Sequence, residues 1–169
     1  MAYAGVFGML QTYKMMKADS DFKLINYTNE LTSASKESRS VDTYFSGTKA
    51  QLRTALANAT SVKNTGTEAE QAKFIKEQKD NIDYVSPDGE ELQFSSNDIE
   101  SFIKEVEAKL DEVDADYQSA LADIAAEEEV WQDKVDSEQT TNAFLQSNID
   151  SFQQMLQSNI ADAHTYGYQ

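Results

Sequence analysis

Three adjacent carboxylates, Glu127, Glu128 and Glu129, lie just before Trp131 and Lys134 and are the first candidates for metal or acid–base chemistry. Carboxylates hold a metal ion or transfer a proton between them only when they converge on one point. Consecutive residues of a helix point in different directions, so these three cannot converge on one ion. We therefore interpret this group as an exposed polar stretch with Trp131 as a single buried anchor.

Other residue types that perform chemistry are scarce. The chain has no cysteine and one histidine, His164, which excludes disulfides, thiolate metal sites and imidazole clusters. The acidic turn at 86–89 lacks the alternating ligands of an EF-hand loop, so we expect no calcium there. No pair of carboxylates, activated nucleophile or glycine-rich phosphate loop stands out. The sequence predicts no catalytic, cofactor-binding or metal-binding residues and a protein that is not an enzyme.

The formal net charge of −16 is distributed unevenly. Residues 1–62 carry seven Lys or Arg and five Asp or Glu, whereas residues 63–169 carry seven and twenty-five. The acidic part is a solvated face that keeps the protein soluble, or it pairs with the mildly basic first helix. Because such a surface repels phosphate groups and anionic lipids, we expect no nucleic-acid partner. No stretch approaches the roughly 20 apolar residues that span a bilayer, so we expect no membrane span.

The low content of glycine and proline, six and one residues, favours long helices. Apolar residues recur at alternating steps of three and four on a predicted helix over 21–62. They recur again over 97–164, which is one very long helix or two helices end to end. Such a stripe needs partner helices, because a single helix cannot bury it alone. The stripe residues that we expect to direct assembly, called the seam below, are Leu24, Leu31, Phe45, Leu52, Leu110, Ile124, Leu145, Phe152 and Leu156.

Shorter segments complete the predicted order. Residues 1–17 form an apolar, methionine-rich segment, either a short helix that packs on the core or an adaptable contact surface. Gly66 ends the first long helix, and a short helix follows at 67–81 behind a capping box. The turn Ser86-Pro87-Asp88-Gly89 between two apolar runs predicts a β-hairpin over 82–94.

These segments, with a tail at 165–169, predict a single helical domain over 1–169. The fold class that we expect is mainly α: an elongated helical bundle or antiparallel coiled coil with one small β-hairpin insert.

This layout resembles that of exported helical subunits of bacterial type III secretion and flagellar axial assemblies. The shared features are the absence of cysteine, an uncleaved N-terminus, stripes of small and aliphatic residues at both ends and a non-helical insert between them. Residues 22–62 and 144–163 carry the similarity. It implies terminal helices packed together in a polymer, with the hairpin region displayed outward or between subunits.

The sequence thus predicts a non-enzymatic structural protein that self-associates through its seam, as a subunit of an exported filament or cell-surface assembly. Its partners would be further copies of itself, together with an export chaperone or another protein subunit. It would reach the extracellular side by a route without a cleaved signal peptide. The alternative is a cytoplasmic acidic adaptor or chaperone that binds a basic or amphipathic partner helix.

Overall fold

The computed structural model of the chain describes residues 2–81 and 93–166. Helices make up 95% of these residues. Helix α1 runs over Ala2–Thr65, α2 over Glu68–Asn81 and α3 over Ile99–Tyr166. The fold, as far as it is described, is an all-α helical bundle.

The prediction of a mainly-α fold with a β-hairpin insert is wrong, because the described residues contain three helices and no strand. Residues 82–92 of the predicted hairpin lie outside the described residues. The described remainder, Gln93 and Phe94, is irregular chain that leads towards α3. The Phe94 ring packs on Phe102 at 5.4 Å between ring centroids. Just beyond it, the backbone N–H groups of Ser95 and Ser96 donate to the Glu105 carboxylate at 2.8 and 3.0 Å, so they are not available to a strand ladder.

Helix α1 passes without a break through the apolar segment 1–17 and the helix predicted over 21–62. Its threonines fit the helix because their hydroxyls donate to the carbonyl four residues earlier, as Thr28 does to Leu24 at 2.8 Å. Ser20, between these two predicted segments, lies inside α1 and is buried. Helix α3 is also a single helix.

Local signals near Gly66 separate α1 from α2. The Gly66 N–H donates to the Val62 carbonyl at 2.8 Å, which satisfies one of the last carbonyls of α1. The Thr67 N–H and hydroxyl both donate to the Glu70 carboxylate, at 2.8 and 2.9 Å. This is the half of a capping box in which the Glu70 side chain accepts from the Thr67 backbone, and α2 starts at the next residue, Glu68.

The chain divides into two compact units. Unit 1 comprises Met1–Ala34 and Glu127–Gln169, and unit 2 comprises Ser35–Ala126. Each unit contains one part of α1 and one part of α3.

In unit 2, α1 and α3 pack antiparallel and α2 packs beside them. Lys49 forms an ion pair with Asp114 at 2.8 Å, and Lys63 forms one with Glu100 at 2.9 Å, so higher numbers on α1 face lower numbers on α3. Small residues of α1 are wholly buried, which lets the helices approach closely. The buried cluster consists of Phe45, Leu52, Ala55, Ala59, Ile75, Ile99, Phe102, Val106 and Val113.

In unit 1, α1 and α3 again pack antiparallel. The rings of Tyr13 and Phe152 lie 5.3 Å apart, and those of Tyr27 and Trp131 lie 6.0 Å apart. The apolar residues that are buried in unit 1 are Leu10, Ala34, Val135, Leu145 and Ile149.

Candidate interaction surface

The nine predicted seam residues all face the inside of a unit to some degree. Four of them, Phe45, Leu52, Ile124 and Leu145, are buried. The structure brings Phe45 and Leu52 into one cluster in unit 2, and Leu110 packs against that cluster. The other four seam residues, Leu24, Leu31, Phe152 and Leu156, are half-buried in unit 1. The seam is therefore occupied largely by contacts within the chain.

The number of helices that pack on the seam differs between the two units. In unit 2, helix α2 adds a third layer: Ile75 is buried, and Phe74 meets Phe102 edge-on at 6.3 Å. Leu52 and Phe102 consequently have no exposed surface. The described residues of unit 1 belong to α1 and α3 alone, so its seam has no third helix over it.

Exposed apolar side chains are concentrated in unit 1. Among the described residues, eleven large apolar side chains are exposed, and Tyr44 is the one that lies in unit 2. Single exposed apolar residues are ordinary, but a concentration of them marks an interaction surface. The ten in unit 1 are Phe7, Met9, Met15, Met16, Phe22, Ile25, Val130, Phe144, Met155 and Ile160.

Part of this set forms a surface that spans both helices of unit 1. Met9 and Met16 are seven residues apart, so they lie on the same side of α1. Beside Met16, a groove of about 330 Å³ runs between α1 and α3, with Thr141 on its α3 wall. Met155 follows Thr141 by fourteen residues and lies on the same side of α3. We call the surface made by Met9, Met16, the groove and Met155 the methionine face.

The groove combines apolar and charged walls. Its charged residues include Lys23, which is paired with Asp19 at 2.7 Å. The hydrogen bond and charge of Asp19 raise the pKa of Lys23 above its usual value, so this amine stays protonated at neutral pH. The residues that line the groove are Met15, Met16, Asp19, Ser20, Lys23, Glu138, Thr141 and Leu145.

One polar layer lies inside unit 1. The Asn142 amide donates to Asp21 at 2.6 Å and to the buried Ser20 hydroxyl at 3.3 Å. Asp21 also pairs with Lys17 at 3.0 Å. The hydrogen bond from Lys17, and then that from Asn142, lowers the pKa of Asp21 below its usual value. These residues form a connected network that fixes one alignment of α1 against α3.

Trp131, predicted as a buried anchor, is half-buried and makes polar contacts with its neighbours on α3. The Trp131 indole N–H donates to Glu127 at 3.1 Å, and the Lys134 ammonium lies 3.8 Å from the centroid of the Trp131 ring. Trp131 is half-buried against Tyr27. Within residues 2–81 and 93–166, no group of three or more histidine or acidic side chains could hold a metal ion. His164 belongs to α3, and its side chain lies outside the described residues.

Comparison with known proteins gives no family for this chain. No family model, curated protein or solved structure matches it. The exposed apolar surface of unit 1 is therefore the main evidence for function. None of the described helices has the length and apolarity together that crossing a bilayer requires.

The predicted seam does not include the methionine face, but Met9 and Met16 belong to the segment 1–17, which the sequence offers as an adaptable contact surface or as a helix packed on the core. The signal is present in the sequence: Met9 and Met16 precede seam-like positions at Leu10 and Lys17 by one residue each, with the same seven-residue spacing. Apolar residues at a position that flanks the seam indicate that the helix packs against more than one partner.

Proposed function

We propose that this protein is a non-catalytic helical scaffold that works by self-association. The observation that carries the proposal is the concentration of ten exposed large apolar residues in unit 1. A two-helix unit that leaves so much apolar surface in water gains free energy when another protein covers it. Because the seam is packed within the chain, the association uses surfaces outside the seam.

The resemblance to exported helical subunits adds the expectation of an ordered assembly, such as a filament. Export from the cell and the participation of a chaperone remain part of this proposal. In an open assembly, each copy contributes two different surfaces, whereas a closed dimer uses one surface twice. Ile25 is exposed nine residues after Met16 and lies on the opposite side of α1 from the methionine face, so unit 1 offers two surfaces.

The test is light scattering coupled to size-exclusion chromatography over a wide range of protein concentrations. We expect the mass to rise with concentration above that of one chain of 18.9 kDa. Negative-stain microscopy of the heaviest fraction then distinguishes fibres from closed particles. A mass of one chain at every concentration would overturn the proposal.

The second candidate is an adaptor that binds a basic helix from a different protein. It is favoured by the acidity of residues 97–136, which carry fourteen Asp or Glu and three Lys. An adaptor of this kind would remain monomeric alone and form a complex of fixed stoichiometry with a cationic amphipathic peptide. Titration with such a peptide, at low and high salt, separates this candidate from the scaffold.

A further inference from the structure

We propose that the methionine face is where a second copy of this chain docks, so that two copies of unit 1 form a four-helix bundle. The inference rests on the self-association proposed above and specifies its surface and its partner. Each copy contributes α1 and α3 of unit 1, and the same face of each copy meets the other about a two-fold axis.

Unit 2 shows the cover that unit 1 lacks. There, α2 covers α1 and α3, and the seam residue Leu52 and the core residue Phe102 have no exposed surface. In unit 1, the corresponding seam residues Leu24 and Leu31 remain half-buried. The described chain has no further helix for this role. A second helical pair supplies the missing layer, as facing helices do in four-helix bundles.

The side chains on this face suit such packing. Bundle helices carry apolar residues at the two seam positions and at one flanking position, and Met9, Met16 and Met155 occupy that flanking position. Methionine is flexible and polarizable, so it fills the irregular space between helices of two subunits. Each of the three is about half exposed in the isolated chain, at 52%, 51% and 52% respectively.

The distribution of charge favours contact between like copies at this end. A chain of net charge −16 repels its copies wherever the acidic region is exposed. Residues 1–26 carry three lysines and two aspartates, and residues 138–169 carry one glutamate, which lines the groove, two aspartates and no Lys or Arg. Two copies therefore meet at this end with little electrostatic repulsion.

The area of the face is sufficient for a stable dimer. From residue 4 to residue 25, α1 is roughly 33 Å long, and two packed helices are roughly 20 Å wide. The projected face is therefore roughly 650 Å², and its accessible area is larger because side chains form ridges and grooves. Stable protein interfaces bury about 800 Å² on each partner. The exposed Ile25, on the opposite side of α1, belongs to one helix and presents a narrower surface.

The first test compares two double variants by light scattering at matched concentrations. Met9→Glu with Met16→Glu places four carboxylates across the proposed two-fold interface, so we expect at least a tenfold loss in association constant. Ala18→Glu with Ile25→Glu adds the same charge, at the same seven-residue spacing, on the opposite side of α1, and we expect dimerisation to persist. Glutamate is a good helix former, and circular dichroism checks that both variants keep the wild-type helix content.

A second test uses the absence of native cysteine. Met16→Cys, treated with a short bis-maleimide, should give a cross-linked dimer, and Ile25→Cys, on the opposite side of α1, should remain largely uncross-linked. Cross-linking through Ile25→Cys alone, or association that survives charge at Met9 and Met16, would overturn the inference while leaving self-association intact. A wild-type protein that is monomeric at every concentration would instead remove the proposed function itself.

Discussion

Asn142 and Asp21, which are 121 residues apart in the sequence, are joined by a hydrogen bond of 2.6 Å between α3 and α1 of unit 1. The same Asn142 amide reaches the hydroxyl of the buried Ser20. An apolar pair can slide along a seam with little change in contact, but this network is satisfied in one alignment only. Polar residues at seam positions specify register at some cost in stability.

The hydrogen bond between Asn142 and Asp21 can be tested by the near-isosteric change Asn142→Asp. The change replaces a donor with a carboxylate beside Asp21, so repulsion replaces attraction. We expect the melting temperature at about pH 7 to fall by roughly 2–4 °C. Repulsion raises the pKa of one carboxyl of the pair, so that carboxyl binds a proton more readily in the folded state. The deficit relative to wild type should therefore shrink as the pH falls towards about 4.

The control for this change is Asn29→Asp, at an exposed position of α1 in the same unit. This change adds the same charge at a site outside the Asn142 network, where it does not face Asp21. It should therefore leave the melting temperature nearly unchanged. Thermal unfolding followed by circular dichroism measures both variants. Equal losses in the two would mean that charge, rather than the Asn142 hydrogen bond, determines the effect.

Two glycines make a matched pair with opposite expected effects. A Cβ atom at Gly66 would lie 2.8 Å from the Val62 carbonyl oxygen, which belongs to the backbone and accepts the Gly66 N–H. A Cβ atom at Gly47, inside α1, meets nothing within 4 Å. We expect Gly47→Ala to raise the free energy of unfolding by about 1 kcal/mol, the difference in helix propensity.

Gly66→Ala should lower the free energy of unfolding, because the backbone that ends α1 must shift to relieve the contact with Val62. Urea unfolding of both variants measures the two changes under the same conditions. A stabilising Gly66→Ala would show that the chain at the end of α1 accommodates a side chain without cost.

Much of the helical framework follows from local sequence. Thr67 and Glu70 pair as their spacing predicts, and Gly66 lies just beyond the end of α1. Such signals act within four residues, so a single sequence reveals them. The alternation of three and four residues likewise predicts which side of each helix is buried.

Contacts between distant residues are the part that the sequence did not predict. Glu100 has the spacing of a capping partner for Asn97, but it pairs with Lys63, and Asp98 accepts the Ser101 N–H instead. Capping signals cannot account for a competing lysine on another helix. The pKa of Glu100 is lowered by this hydrogen bond from Lys63.

The predicted seam served as a guide to the core, but it did not identify the surface for partners. The spacing of the seam residues predicts that they contact another helix. It does not predict whether that helix belongs to the same chain or to another one. Once α1 and α3 pack within each unit, the residues that identify a partner surface are those beside the seam, such as Met9 and Met16.

The lowered pKa of Glu105 makes the stability of unit 2 sensitive to acid. Burial tends to raise the pKa of Glu105, but the backbone and hydroxyl hydrogen bonds from Ser95 and Ser96 outweigh it and lower the pKa from 4.5 to about 2. In the folded state Glu105 therefore releases its proton more readily than in the unfolded chain. Its contribution to stability is present above about pH 4.5 and is lost as the pH falls towards about 2.

The variant Glu105→Gln removes the ionisable group and one acceptor oxygen while preserving size. We expect a lower melting temperature than wild type at about pH 7, and a difference that narrows steadily from about pH 4.5 to pH 2. Glu107→Gln, at an exposed position of the same helix, is the control and should follow the wild-type curve. A difference between Glu105→Gln and wild type that stays constant across this range would mean that the hydrogen bonds from Ser95 and Ser96 do not depend on the charge of Glu105.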